Sequence, residues 1–270
     1  MHFNPYIAHW NEMYAPLRPC AETLKTYRRL FLQRHVADSP PSVLLLGVTP
    51  ELATAEWLRS AHITAVDHSE AMIAHIWPGN DAHRRAVLGD WLTLPMEPES
   101  QDCVIGDGIF NFFSYPTGHE ELARSLARVL KKEGQLIIRA FCPPERLQPT
   151  EVLFRKAKQG QIRNFNEFKL LLLAAIQNGN AHEGVGLTSV WEKFQSEFPS
   201  FEECAIQTGW PHKTIETIDL YKNNAVRYHL ATPSEIEIAL SQFFTLEKIE
   251  NSPTNWESHT PLMSFRKKEL

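Results

Sequence analysis

Residues 43–51 read VLLLGVTPE, and they decide the fold. Val43-Leu44-Leu45-Leu46 is a short apolar run with no polar face, the pattern of a strand buried on both sides of a parallel sheet. Gly47 ends it. Thr49 is then a good N-cap, Pro50 suits the first helical position, and Glu51 suits the positive helix end, so a helix is predicted over Pro50 to Ser60. If the Thr49 hydroxyl caps that helix, Thr49→Ala should cost about 1 kcal/mol of stability.

Working outward, Ile63 to Val66 reads as a second strand closed by Asp67. Ser69 then caps a short helix through Ile76, stopped at Pro78-Gly79. Ala86 to Leu88 makes a third strand ending at Gly89-Asp90, and Asp102 to Ile105 a fourth ending at Gly106-Asp107-Gly108. A helix follows with Leu122, Leu126, Val129 and Leu130 on one face. Lys131 and Lys132 fall in its last turn and Gly134 at its C-cap. Gln135 to Phe141 is the fifth strand. Strands alternating with helices in this way predict an α/β fold with a doubly wound, mostly parallel sheet.

The segment 143–229 breaks the alternation. It reads as amphipathic helices over roughly Thr150 to Lys158, Asn164 to Gln177 and Thr188 to Phe198, with stops at Gly160 and Gly179. Residues 143–228 hold ten Lys and Arg against ten Asp and Glu, together with aromatics that include Trp191, Trp210 and Tyr221. Most of those aromatics are expected to pack the insertion, and a few to line a pocket. Thr232-Pro233-Ser234 opens another helix through Leu240. Phe243 to Glu250 and Pro261 to Arg266 then read as two strands, joined by a turn-rich loop at 251–260. At the other end of the chain, residues 1–40 form a helical lid in which Trp10, Tyr14 and Leu17 or Arg18 recur at helical spacing. The division expected is thus a lid over 1–40, a core over 41–142 and 230–270, and a helical substrate cap over 143–229.

In a doubly wound sheet, ligands sit beyond the carboxyl ends of the strands. Gly47 lets a ligand pass close to backbone. Asp67, 20 residues later, can accept hydrogen bonds from both hydroxyls of a ribose. Asp90 can accept from an adenine amino group, with Trp91 as a flat apolar surface beside it. The succession Leu45-Leu46-Gly47, Val66-Asp67-His68-Ser69-Glu70-Ala71-Met72, Gly89-Asp90-Trp91 and Leu130-Lys131-Lys132-Glu133-Gly134 resembles the class I S-adenosylmethionine-dependent methyltransferases over about residues 42–141 and 230–267. The resemblance implies a seven-stranded sheet whose last two strands are an antiparallel pair. It also implies S-adenosyl-L-methionine as cofactor, held by Gly47, Val48, Thr49, Asp67, His68, Met72, Gly89, Asp90, Trp91, Asp107 and Gly108. Similar enzymes close an N-terminal segment over the cofactor, which gives Arg18 a place at its carboxylate.

One departure is visible. The family's loop usually has three glycines, and Thr49 and Glu51 stand where the other two would fall. A dinucleotide would need backbone pressed against a pyrophosphate, for which Val48-Thr49-Pro50 is poor. S-adenosylmethionine has no phosphate, so the change argues against a dehydrogenase more than against a methyltransferase. Residues from Asp107 to Tyr115 should border the transferring methyl. Asp107 and Tyr115 are base candidates by position alone, and no catalytic residue is assigned.

The chain has 270 residues, 43% hydrophobic and 22% charged, with a net charge of -5. That is the composition of a soluble globular protein with no electrostatic footprint for nucleic acid or an anionic membrane. Cys20, Cys103, Cys142 and Cys204 form no close pair, and no signal peptide opens the chain, so a reduced, cytoplasmic protein is expected. The histidines at 62, 68, 75 and 83 lack metal-ligand spacing, and no metal is expected. A small-molecule acceptor is the partner anticipated. A protein methyltransferase, or a methyltransferase-like interaction module without activity, stays open as an alternative.

Overall fold

The computed structural model describes residues 5–35, 39–251 and 259–269. It begins with helices α1 (Pro5–Ala8) and α2 (Ala21–Leu32). Strand β1 (Ser42–Leu46) leads through α3 (Pro50–Ala53) into β2 (His62–Asp67), and α4 (Glu70–His75) into β3 (Arg84–Leu88). After β4 (Gln101–Asp107), helix α5 (Thr117–Val129) returns the chain to β5 (Leu130–Arg139). The insertion then supplies α6 (Thr150–Lys158), α7 (Phe165–Gln177), β6 (Val185–Gly186), α8 (Leu187–Glu197), α9 (Phe201–Thr208), α10 (His212–Glu216) and β7 (Arg227–Tyr228). Helix α11 (Pro233–Leu240) and strands β8 (Phe244–Glu250) and β9 (Leu262–Lys267) close the chain. The main sheet has seven strands in the order β3-β2-β1-β4-β5-β9-β8. Its first five strands run parallel, and β9 is antiparallel to both β5 and β8, as the sequence implies.

Successive strand side chains face opposite sides, and the two cores follow from that alternation. Leu44, Leu46, Val104, Leu136 and Ile138 pack with α5 and α11. Val43, Leu45, Cys103, Ile105 and Ile137 pack on the other face with Tyr27, Leu30 and Phe31 of α2 and Leu52 of α3. Helix α2 is therefore part of the core. Trp10 and Leu17 pack against the insertion while Tyr14 is exposed, and the stretch from Met13 to Cys20 is not helical, so the spacing of Trp10, Tyr14 and Leu17 or Arg18 does not mark helical turns.

Three further expectations need correction. The helix from Pro50 stops after Ala53, where both the Thr54 N–H and the Thr54 hydroxyl donate to the Pro50 carbonyl, at 2.9 and 2.7 Å. Thr49 occupies the N-cap position in extended backbone, yet its hydroxyl makes no capping bond. Thr49→Ala is accordingly expected to shift stability by less than about 0.5 kcal/mol in denaturant titration, since no hydrogen bond is lost. Third, α5 ends at Val129, and Lys131, Lys132 and Gly134 belong to β5, with Leu130 already paired to Gln101. The buried Lys267 ammonium takes the Leu130 carbonyl at 2.7 Å. The left-handed residue there is Glu133 (φ 58), not Gly134. Most of the turn-rich loop expected over 251–260 lies outside the described residues.

The insertion has its own apolar core. Trp210 is buried, donates from Nε1 to the Ile162 carbonyl at 2.8 Å and lies 5.0 Å from Phe165 and 4.9 Å from Phe168. Asn164 caps α7 by accepting from two backbone N–H groups, and Ser200 caps α9. Thr232 and Glu235 form the capping box of α11.

Candidate active site at the strand ends

The carboxyl ends of β1, β2, β3 and β4 lie side by side and bring the predicted residues together. Gly47 sits in left-handed backbone (φ +87), and its N–H donates to the Val66 carbonyl at 2.8 Å. A Cβ there would stand 3.6 Å from Cζ2 of Trp91 and 3.8 Å from Oδ2 of Asp67, so these two side chains border the glycine directly. Asp67 accepts from the Val48 N–H at 3.2 Å and from the Ser69 N–H at 2.8 Å. A carboxylate has about four acceptor positions, so the two local bonds leave capacity for ribose hydroxyls. They also fix its orientation.

Trp91 donates from Nε1 to the Val66 carbonyl at 2.7 Å, which sets its indole across the ends of β2 and β3. His68 stands edge-on to that ring with centroids 6.3 Å apart. Asp90 caps the turn after β3 by accepting from the Leu92 N–H at 2.8 Å. Gly89 closes the end of β3, its N–H bonded to the Asp67 carbonyl at 3.0 Å. Val48 is buried and Met72 packs against the α2 face of the core.

Other predicted residues are engaged with the protein itself. Asp107 faces Arg139 across the β4–β5 register. Nη2 of Arg139 donates to its Oδ2 at 2.9 Å, and the Tyr27 hydroxyl lies 3.2 Å from its Oδ1. Arg139 also donates to the carbonyls of Pro16 at 2.9 Å and Leu17 at 3.3 Å, tying the N-terminal segment to the sheet. Burial and then the Asp107 charge push the Tyr27 hydroxyl far above its ordinary range. Burial opposes the Arg139 charge, but Asp107 outweighs it and holds the guanidinium protonated. Ion-paired and buried, the Asp107 carboxylate is poorly placed to serve as a base. Gly108 (φ +68) admits the ring of Phe141, 2.7 Å from where a Cβ would be.

Arg18 meets a carboxylate, and it is the protein's own. Its Nε donates to Oε1 of Glu51 at 2.7 Å, Nη2 bonds the same oxygen, and Nη1 donates to the Trp10 carbonyl at 2.7 Å. Tyr115 points elsewhere, against His119 and His182. Sequence reading missed Arg139, Tyr27 and Glu51 as the partner of Arg18, and gave Asn111 only as part of the 107–115 stretch. The Asn111 side chain donates to the carbonyls of Phe141 at 2.7 Å and His229 at 3.0 Å and accepts from the Phe141 N–H at 3.0 Å. An arginine within the apolar run Gln135 to Phe141, beside a strand ending in Asp107, was the available signal.

This donor set fits S-adenosylmethionine. Asp67 and Asp90 offer carboxylate acceptors beside the Trp91 ring, and among the described residues the buried Oε2 of Glu51 has no hydrogen-bond partner. Residues 44–138 match the profile of a methyltransferase-domain family. No curated protein matches the chain. In fold, the chain is similar to the N-methyltransferase NodS of Bradyrhizobium japonicum WM9, in complex with S-adenosyl-L-homocysteine, at 11% identity and a TM-score of 0.52, covering 99% of this chain and 100% of that one. It is likewise similar to magnesium protoporphyrin IX methyltransferase (ChlM) of Synechocystis PCC 6803, at 12% identity and a TM-score of 0.55, covering 98% and 95%. A putative Zn-dependent alcohol dehydrogenase of Rhodobacter sphaeroides matches at 13% identity and a TM-score of 0.58 over all of both chains. Identities this low speak to fold alone. Residues 44–138 thus match a methyltransferase domain, set in a seven-stranded sheet of the class I methyltransferase fold.

Proposed function

We propose that this protein transfers a methyl group from S-adenosylmethionine to a small-molecule acceptor held beneath the 143–229 insertion, in a cytoplasmic setting. The observation that carries the reading is the attachment of the insertion beside the end of β4. The His229 N–H donates to the Asn111 carbonyl at 2.9 Å, and the rings of Phe112 and Tyr228 meet edge to face at 5.1 Å. The half-exposed Phe112 thus lies between the strand ends and the insertion, on the side where an acceptor would enter. All four cysteines are free thiols, which suits a reducing compartment. Among the described residues no helix is long and apolar enough to cross a membrane.

The cofactor's sulfonium supplies an already activated methyl group. What the chain must add is alignment of the acceptor, worth roughly 7–11 kcal/mol in well-oriented cases. In this reading Gly47, Val48 and Thr49 line the turn beside the cofactor, and Asp67 with His68 takes the ribose. Gly89, Asp90, Trp91 and Met72 surround the base, with Asp107 and Gly108 contributing backbone at the end of β4. Arg18 acts on this site through Glu51. Calorimetry with S-adenosylhomocysteine tests the assignment. Asp67→Ala, with melting checked separately, should weaken binding by about 1–3 kcal/mol, the worth of a hydrogen bond to a charged acceptor. Unchanged affinity would leave Asp67 as only the clasp between Val48 and Ser69. Failure of the wild-type protein to bind at all would favour an interaction module.

A further inference from the structure

We propose that the amino end of the sheet, opposite the candidate active site, binds a small molecule through its phosphate group. Four parallel strands begin there, and the side chains of Ser42 on β1, His62 and Thr64 on β2, Arg85 on β3 and Gln101 on β4 border one open cavity of about 310 Å³. That volume lies at the lower end of small-molecule sites, about 300–1,000 Å³. Met96, from the connection between β3 and β4, forms a further wall. Gly47, Asp67 and Gly89 stand at the other ends of these strands, so the proposal does not depend on the cofactor reading.

The lining is rich in donors and poor in acceptors. The parallel register sets Arg85 beside Thr64, and Nε of Arg85 donates to the Thr64 hydroxyl at 3.3 Å. That bond steadies the guanidinium and leaves both of its η nitrogens available. Among the described residues no carboxylate pairs with Arg85. Thr64 is 8% exposed, and because its oxygen already accepts, its own proton is available to a ligand. The rings of His62 and His83, which sequence spacing gave no reason to associate, stack at 5.9 Å on the cavity's edge. Among the described residues no third metal-ligating side chain joins them. Asp81 is the only acid in the lining, and it is already spent: it pairs with Arg84 at 3.1 Å and accepts from the His83 and Arg84 N–H groups at 2.8 and 2.9 Å. A tetrahedral phosphate accepts from several directions at once, and an arginine fork is the group that suits it best. A polyanion such as RNA draws on a row of cations, whereas this cavity offers one unpaired guanidinium.

Calorimetry on the full chain tests this, with glycerol 3-phosphate as the probe and glycerol as its neutral reference. Wild-type protein should bind the phosphate ester and give no heat with glycerol. Arg85→Gln, at an exposed position outside the cores, should weaken the ester by about tenfold or more, the worth of a charge-assisted hydrogen bond. Arg155→Gln, an exposed change on α6 of the insertion, should bind as wild type does and so controls for general attraction to cations. Saturating S-adenosylhomocysteine should leave the affinity for the ester unchanged. Absence of heat with the ester at millimolar concentration overturns the proposal. So does equal affinity in wild type and Arg85→Gln, equal weakening by the two arginine changes, or displacement of the ester by S-adenosylhomocysteine. Protein that binds the ester but not S-adenosylhomocysteine keeps this proposal and loses the cofactor reading, and the reverse result does the opposite.

Discussion

Arg139→Leu is expected to destabilise the protein by about 3–5 kcal/mol, because it strands a buried carboxylate without its counter-charge. The side chains of Arg139 and Asp107 are 2% and 6% exposed, and the Tyr27 hydroxyl, itself buried, is the other side chain on the Asp107 carboxylate. Water cannot reach the stranded group, so the loss should far exceed that of a surface pair, about 0–1 kcal/mol. Replacing both charges, Arg139→Leu with Asp107→Leu, should recover much of it, since an apolar pair avoids two desolvation costs. The single change also removes the donors to Pro16 and Leu17, so limited proteolysis should open the segment before α2 ahead of global unfolding. Urea titration measures the stability change. A loss below about 1 kcal/mol would show that solvent reaches the pair.

The same pair shows where sequence reading stops. Strands β1, β2 and β4 were legible because each is an apolar run closed by a glycine or an aspartate, and burial on both faces makes that run obligatory. Gly47, Asp67, Gly89, Asp90 and Gly108 were legible as site candidates for the same reason, since each marks the point where a strand leaves the sheet. Helix ends were less so. Pro50 starts a helix correctly, but it lasts only to Ala53, and the carbonyl after α5 is taken by Lys267, from the far end of the chain. Partnerships such as Arg139 with Asp107, Arg18 with Glu51, or Asn111 with His229 join segments far apart in the chain. No local spacing encodes them. The aromatic richness of the insertion was visible, yet Trp210 proved to be core, whereas Trp191 is tied at the surface by its bond to Asp219.

The insertion also hides a charge that its balanced composition does not betray. Lys169, on α7, is 1% exposed, and its ammonium donates to the Thr217 hydroxyl at 2.8 Å, with the rings of Phe165 and Tyr221 at 5.4 and 5.9 Å. No carboxylate pairs with it among the described residues. Burial lowers its pKa from 10.5 to about 7. The folded protein therefore binds this proton less readily than the unfolded chain. The contribution of Lys169 to stability is complete above pH 10.5, is lost as pH falls toward about 7, and is at its worst below that. At about 1.4 kcal/mol for each unit, the difference across that window is about 5 kcal/mol. Neighbouring Tyr221 is driven upward by burial and stays neutral throughout. Lys169→Met removes the charge with a flexible side chain of similar length, at the cost of one hydrogen bond to Thr217. The variant should be more stable than wild type by about 2–4 kcal/mol at pH 6, and the gain should vanish near pH 10, where the native amine is neutral and well bonded. Urea titrations at pH 6, 8 and 10 measure it. A difference between the two proteins that does not change with pH would mean that Lys169 keeps its proton in the fold, supported by water that reaches the amine from the insertion's surface.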